Sequence, residues 1–390
     1  MTATRVISSD SHLEVLPERW THRVDPKYRD MAPRRVVLPD GGDGLVIGDG
    51  PVQEANATDL RAGRPEGQWK PFGMRYEDAG GTGPPEQRLR EQETDGLDGE
   101  VLYPGQVGGP TFWRSIKDDA AYNAVVRGYN DWLAEEYCAV APDRLIGLGV
   151  LPWTNVDDMV AEMERCAKLG FKGVLLGVFP NGRGYPTAED DRFWAAALDL
   201  DIPVTVHVQL SRSGSLAKDP TFVYPVTPPP EIADRIRRGP IDRMSRFGLE
   251  PALSLSQLVL AGVFDRFPRL KIFFAETRVG WLPFWFEQCD LQYFRTFEWA
   301  KDMLGAPRLE RLPSEYLKEH IYWSIQYEKA AVDLRYHIGV DHLLFATDFP
   351  HIECEYPNTQ QLLGDLYADV SEEERERIWA GNVIDYFRLS

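Results

Sequence analysis

Eight short, nearly unbroken apolar runs recur along the chain, and they leave few folds open: Arg5–Ser9, Gly99–Tyr103, Leu145–Leu151, Gly173–Gly177, Ile202–Val208, Leu270–Ala275, His320–Ser324 and His342–Ala346. Runs that are apolar without alternation belong to strands of a parallel sheet covered on both faces. Helical periodicity fills several intervals, at Asp119–Val140, Val156–Leu169 and Asp190–Leu200. About eight β/α units is the count of a closed (β/α)8 TIM-type barrel, an α/β fold. A doubly wound open sheet competes, but no G-x-G-x-x-G follows the first run. The 390 residues are therefore read as one barrel with long inserted loops, at about 26–85 and 211–251. Long loops inside a compact domain are either walls and lids of a site or surface insertions and oligomer contacts.

Charge narrows the partners. Against 43 Lys and Arg stand 61 Asp and Glu, a net charge of -18. That balance argues against nucleic acid or an anionic membrane, since both need a basic face. No window approaches 18 uncharged apolar residues, so no membrane span is expected. Met1–Ser9 shows no secretory leader, and Cys138, Cys166, Cys289 and Cys354 form no C-x-x-C pair. Free thiols in a cytoplasmic protein are the expectation.

Candidate chemistry gathers where runs end. Asp10, His12 and Glu14 follow the first run at alternating positions, His207 lies near the end of the fifth, and Glu276 follows the sixth. Thr347-Asp348-Phe349-Pro350-His351 follows the eighth. Barrel enzymes build their sites where strands end and βα loops begin. Each residue alone has an ordinary structural explanation, an Asp as a helix cap or a His as a packed ring. Together they form a set of oxygen and nitrogen donors without thiolates, suited to a divalent transition metal such as Zn, Mn or Fe.

With these motifs in view, the chain resembles the amidohydrolase-related branch of the amidohydrolase superfamily, which includes decarboxylases of the aminocarboxymuconate-semialdehyde type. Asp10-x-His12-x-Glu14, His207, Glu276 and Asp348 occupy the places of that family's ligands. Val279-Gly280-Trp281-Leu282-Pro283-Phe284, Asp348-Phe349-Pro350-His351 and Pro142-Asp143-Arg144-Leu145 match its flanking text. The resemblance runs from about Arg5 to Arg388. It implies a metal-dependent hydrolase or carbon–carbon lyase, with one or two ions held by Asp10, His12, Glu14, His207, Glu276 and Asp348. Its substrate would be a small molecule, carboxylate-bearing in the decarboxylating variant. Asp348, His351 and Arg278 are the catalytic candidates.

The sequence departs from the family by placing carboxylates where imidazoles are usual, at Asp10 or Glu14 and at Glu276. That inventory opens a dinuclear Fe/Mn-type oxygenase as a second reading. A third is a partner subunit of a paralogous catalytic chain; assembly as a homo-oligomer or with that paralogue is expected. His351 has two readings, acid/base or second-ion ligand against a packed ring orienting Asp348. Arg278 either clamps a substrate carboxylate or pairs with Glu276 or a neighbour. His22, His320, His337 and His342 are assigned to structure or surface, and Glu353 and Glu355 to a solvated loop. The Trp281–Phe286 segment reads as a helix face on the core or a partner, and Trp132, Tyr137 and Trp194 as packing.

Overall fold

A computed structural model describes residues 4–56, 58–64, 72–183, 186–210, 250–304 and 308–390. The chain enters on β1 (Ile7–Leu13) and then forms a small antiparallel sheet of β2 (Arg34–Val37), β3 (Asp43–Val46) and β4 (Gln53–Glu54). Parallel strands follow: β5 (Gly99–Pro104), β6 (Leu145–Gly147), β7 (Gly149–Val150), β8 (Val174–Leu175), β9 (Val204–His207), β10 (Ile272–Ala275), β11 (Ile321–Ile325) and β12 (Leu343–Phe345).

Pairing runs β1-β5-β6 and β7-β8-β9-β10-β11-β12. β6 and β7 are two halves of one strand that changes partner at Leu148, so the Leu145–Leu151 run is a single barrel stave. The seam between β12 and β1 is closed just beyond β12. Asp348 donates its N–H to the Asp10 carbonyl at 2.9 Å, and His12 donates to the Phe349 carbonyl at 2.6 Å. The eight apolar runs thus become the eight staves of a (β/α)8 barrel.

Alternation sorts each strand. Ile7, Val101, Tyr103, Ile146, Leu175, Phe273 and Leu344 pack together in the barrel interior. Val204, Val206, Ile272, Phe274, Trp323 and Phe345 face outward against helices such as Val156–Leu169 and Asp191–Asp199. Those two helices coincide closely with the expected ones. The expected Asp119–Val140 helix is regular only to Trp132, then widens into a π-helical turn at Leu133–Tyr137. Trp132, Tyr137 and Trp194 are buried packing residues.

The first insertion folds back onto the barrel mouth. Arg61 and Ala62 donate their N–H groups to the Pro350 carbonyl at 3.2 and 3.1 Å, and Ile352 donates to Thr58 at 2.8 Å. This segment walls the loop that carries Asp348 and His351. The second insertion lies outside the described residues up to position 249. No helix among the described residues is long and apolar enough to cross a membrane. All four cysteines are free thiols.

Candidate metal centre

The key local event is in β1. Its pairing with β5 steps from Ser8↔Glu100 to Ser11↔Leu102, three residues against two. One extra residue is a β-bulge, and bulges re-aim side chains. Here it reverses the parity of the strand: Ile7 points into the barrel before it, and His12, opposite the inward Tyr103, does so after it. Strict alternation from Ile7 would have turned His12 out into the helix layer.

His12 Nδ1 lies 3.0 Å from the Pro104 carbonyl, which can only accept. Nδ1 therefore carries a proton, which leaves Nε2 as the ring's ligand atom. Around that atom stand His207 Nε2 at 3.1 Å, Asp348 Oδ1 at 3.3 Å and Asp10 Oδ1 at 3.5 Å. Two sets of donor atoms mutually within 4.8 Å result, Asp10-His12-His207 and His12-Asp348-His351, and both contain His12. Neighbouring ligands on one ion with bonds of about 2.1 Å sit about 3 Å apart, so the spacing suits a shared cation.

Electrostatics agree with that spacing. Both oxygens of Asp10, and Oδ2 of Asp348, are buried without a hydrogen-bond partner among the described residues. Burial, then Asp348 and Glu276, push the Asp10 carboxyl well above its usual range. Asp348 is buried too, but the His351 and His12 rings outweigh this and hold it far below the ordinary carboxylate range. Buried like charges left open are what a cation would neutralise.

Not every expected ligand joins the cluster. Glu14 lies beyond the end of β1, where Oε1 accepts from the Gln106 N–H at 2.6 Å and meets His351 Nε2 at 3.0 Å. The other ring nitrogen of His351 is 3.1 Å from Asp348 Oδ1. Burial alone would lower the His351 pKa, but Asp348 and Glu14 raise it well above its ordinary value. His351 is thus an imidazolium clasped between two carboxylates. The expected same-side trio fails at Glu14 because the strand has ended by that point. Glu276 sits against His207, 3.2 Å away, and outside both donor sets.

Arg278 pairs with Glu353 at 2.8 Å, not with Glu276, and Glu353 is half-buried rather than solvated. His320 and His342 are held by backbone carbonyls far from the mouth, and His22 pairs with Glu136 on the surface. In the Trp281–Phe286 segment Leu282 and Phe286 enter the core while Phe284 is exposed. Val208, Glu276, Arg278 and Asp348 all have left-handed backbone, with φ between 51° and 62°. For a β-branched residue such as Val208 this conformation is strained, and strain of this kind concentrates at functional sites.

Two supporting residues were missed. Arg88, fully buried, forks onto Glu100 at 2.6 and 3.1 Å and donates to the His12 carbonyl at 2.9 Å. Gln106 spans the mouth, with its N–H on Glu14 and its side chain 3.5 Å from Glu276.

Known proteins share this frame. The chain matches the amidohydrolase family model over residues 10–389. Gamma-resorcylate decarboxylase of Polaromonas sp. is 27% identical over 78% of this chain and 87% of its own length. The 2-amino-3-carboxymuconate-6-semialdehyde decarboxylase of Dictyostelium discoideum is 24% identical over 78% of this chain and 77% of its own. An amidohydrolase structure from Mycobacterium avium subsp. paratuberculosis superposes with a TM-score of 0.73 at 20% identity, covering 99% of this chain and 98% of that one. A dihydroxybenzoic acid decarboxylase structure from Polaromonas sp., with bound manganese and 2-nitroresorcinol, gives 0.63 at 22% identity over 99% and 97%. A match that spans nearly every residue, from the acid of the first strand to the last helix, makes this chain a member of the amidohydrolase family.

Proposed function

We propose that the protein is a metal-dependent decarboxylase of small aromatic carboxylates, with one divalent ion held by Asp10, His12, His207 and Asp348. The observation that carries this is the convergence of open oxygens and the His12 Nε2 on one point. A mixed oxygen and nitrogen donor set suits manganese, the metal bound in the Polaromonas structure. Such an ion supplies positive charge that binds a substrate carboxylate and polarises the ring. A dinuclear centre finds less support, because both donor sets share His12 and because Glu14 is engaged with His351 and Gln106.

The chain's own residues then manage one proton. It resides on His351 Nδ1, beside Asp348 Oδ1, and Glu14 holds the far side of the ring. Asp348 relays it through Oδ1 to the ring carbon that bears the carboxylate, while Oδ2, the atom without a protein partner among the described residues, would stay open to the cation. The carbon–carbon bond breaks, its electron pair restores the aromatic ring, and carbon dioxide leaves. Arg278 and Gln106 stay as positioning groups at the mouth.

The test is metal content and carbon dioxide release from 2,6-dihydroxybenzoate. His207→Ala should lose bound manganese and activity together. Asp348→Asn should keep most of the metal while turnover drops by about 10²- to 10⁴-fold. Unchanged manganese in His207→Ala, or full turnover in Asp348→Asn, would remove the assignment.

A further inference from the structure

The metal centre leaves several buried polar groups unexplained, among them those on and just past β11. Along β11, Ile321, Trp323 and Ile325 face the helix layer, and Tyr322 packs against the barrel interior. Ser324 shares the parity of Tyr322 and so faces the interior, and Gln326 is the first residue past the carboxyl end of β11, the end at which a barrel builds its mouth. Register places Ser324 opposite Leu344 and Ile325 opposite Phe345, which sets Gln326 two residues short of the level of Asp348. Both side chains are 0% exposed. Ser324 Oγ and both polar atoms of the Gln326 amide have no hydrogen-bond partner among the described residues, and Thr277 Oγ1, just past β10, has none either.

A buried amide with neither its N–H groups nor its oxygen engaged is costly to keep. The cation that explains Asp10 and Asp348 does not fully explain it, since a metal takes at most the amide oxygen and leaves the NH2 unpaired. A neutral group offering both a donor and an acceptor is matched by a ligand group that does the same. A phenolic hydroxyl fits; a carboxylate, which only accepts, does not.

We propose that Gln326, with Ser324 beneath it, reads a ring hydroxyl of the substrate on the β11 side of the barrel mouth. This deepens the decarboxylase reading and rests on it. The substrate carboxylate goes to the metal side, and the hydroxyl goes to the amide. Gln326 then sets a preference for hydroxylated over plain benzoates.

The experiment is calorimetric binding of 2,6-dihydroxybenzoate, 2-hydroxybenzoate and benzoate to the manganese-loaded wild-type protein and Gln326→Leu, with metal content measured on each. Gln326→Leu should weaken 2,6-dihydroxybenzoate by about 10- to 100-fold while benzoate changes by no more than about twofold. Gln326→Asn, which keeps the amide but shortens its reach, should fall between the two and serves if the leucine variant does not fold. Equal weakening of all three ligands, or none, would overturn the hydroxyl assignment while leaving the decarboxylase reading intact. A wild-type protein that binds none of the three would overturn both.

Discussion

Replacing Arg88 by methionine tests how the metal centre is held. The Arg88 guanidinium is 1% exposed and forks onto Glu100, itself 1% exposed. Burial opposes its charge, but Glu100 outweighs burial and keeps it protonated. It also donates to the carbonyl of His12 and lies over the Phe349 ring at 4.4 Å, so one side chain ties β1, β5 and the loop after β12. Arg88→Met leaves Glu100 buried with only the Gln92 amide, 2.8 Å away. Removing one partner of a buried pair costs about 3–5 kcal/mol, a large part of the roughly 5–15 kcal/mol that keeps a domain folded. Adding Glu100→Leu removes the stranded charge and should restore at least half of that loss in urea unfolding. The double variant should still bind manganese about 10- to 100-fold more weakly, because the supports of His12 and Phe349 are gone. A single variant that loses less than about 1 kcal/mol, or a double variant with wild-type manganese affinity, would refute this reasoning.

Gly105 closes on Glu14: a Cβ there would lie 2.5 Å from Oε2. Gly105→Ala should fold normally yet lower activity by about tenfold, as Glu14 leaves His351; unchanged kcat would count against the clasp. His320 and His342 have pKa values lowered first by burial, so each is neutral in the folded protein. Their contribution to stability is full above the unfolded value of about 6.5 and declines as pH falls toward the folded values. Urea midpoints measured down to pH 5 should show that decline, and His320→Asn with His342→Asn should flatten it. Chelation should lower the unfolding free energy by about 2.7 kcal/mol when manganese had been present at 100 times its Kd, with no such drop in His207→Ala.

The strand ends were legible because chemistry follows apolar runs: His207, Glu276 and Asp348 are where the runs stop. Their surroundings were not, for identifiable reasons. The bulge in β1 leaves no mark in Ser8-Ser9-Asp10-Ser11, so the inward turn of His12 shows only in the pairing with β5. The helix Pro85–Asp95 hides behind the opposite problem. Its buried residues are Arg88, Gln92 and Asp95, spaced i, i+4 and i+7, a helical period written in polar residues. A reading keyed to apolar periodicity passes over it, although the spacing itself is the signal. Alternation puts Glu14 on the side of Asp10 and His12, but it holds only while the strand continues, and β1 ends at Leu13.

A count of carboxylates near strand ends is not a count of ions. Counting acids near strand ends gives Asp10, Glu14, Glu276 and Asp348, enough for two ions if each is free to bridge. The structure gives them unequal work. Glu14 and Asp348 flank a protonated His351, which offsets part of their charge without a metal. Glu276 lies against His207, whose own Nε2 meets that of His12, so this acid acts on the cluster through a ligand ring. Both oxygens of Asp10, the outer oxygen of Asp348 and Oε1 of Glu276 are buried without a hydrogen-bond partner among the described residues, but Glu276 stands outside both donor sets. On the proposed reading one divalent ion would answer Asp10, the outer oxygen of Asp348 and the His12 Nε2, while the imidazolium would supply the positive charge that a second ion would otherwise bring.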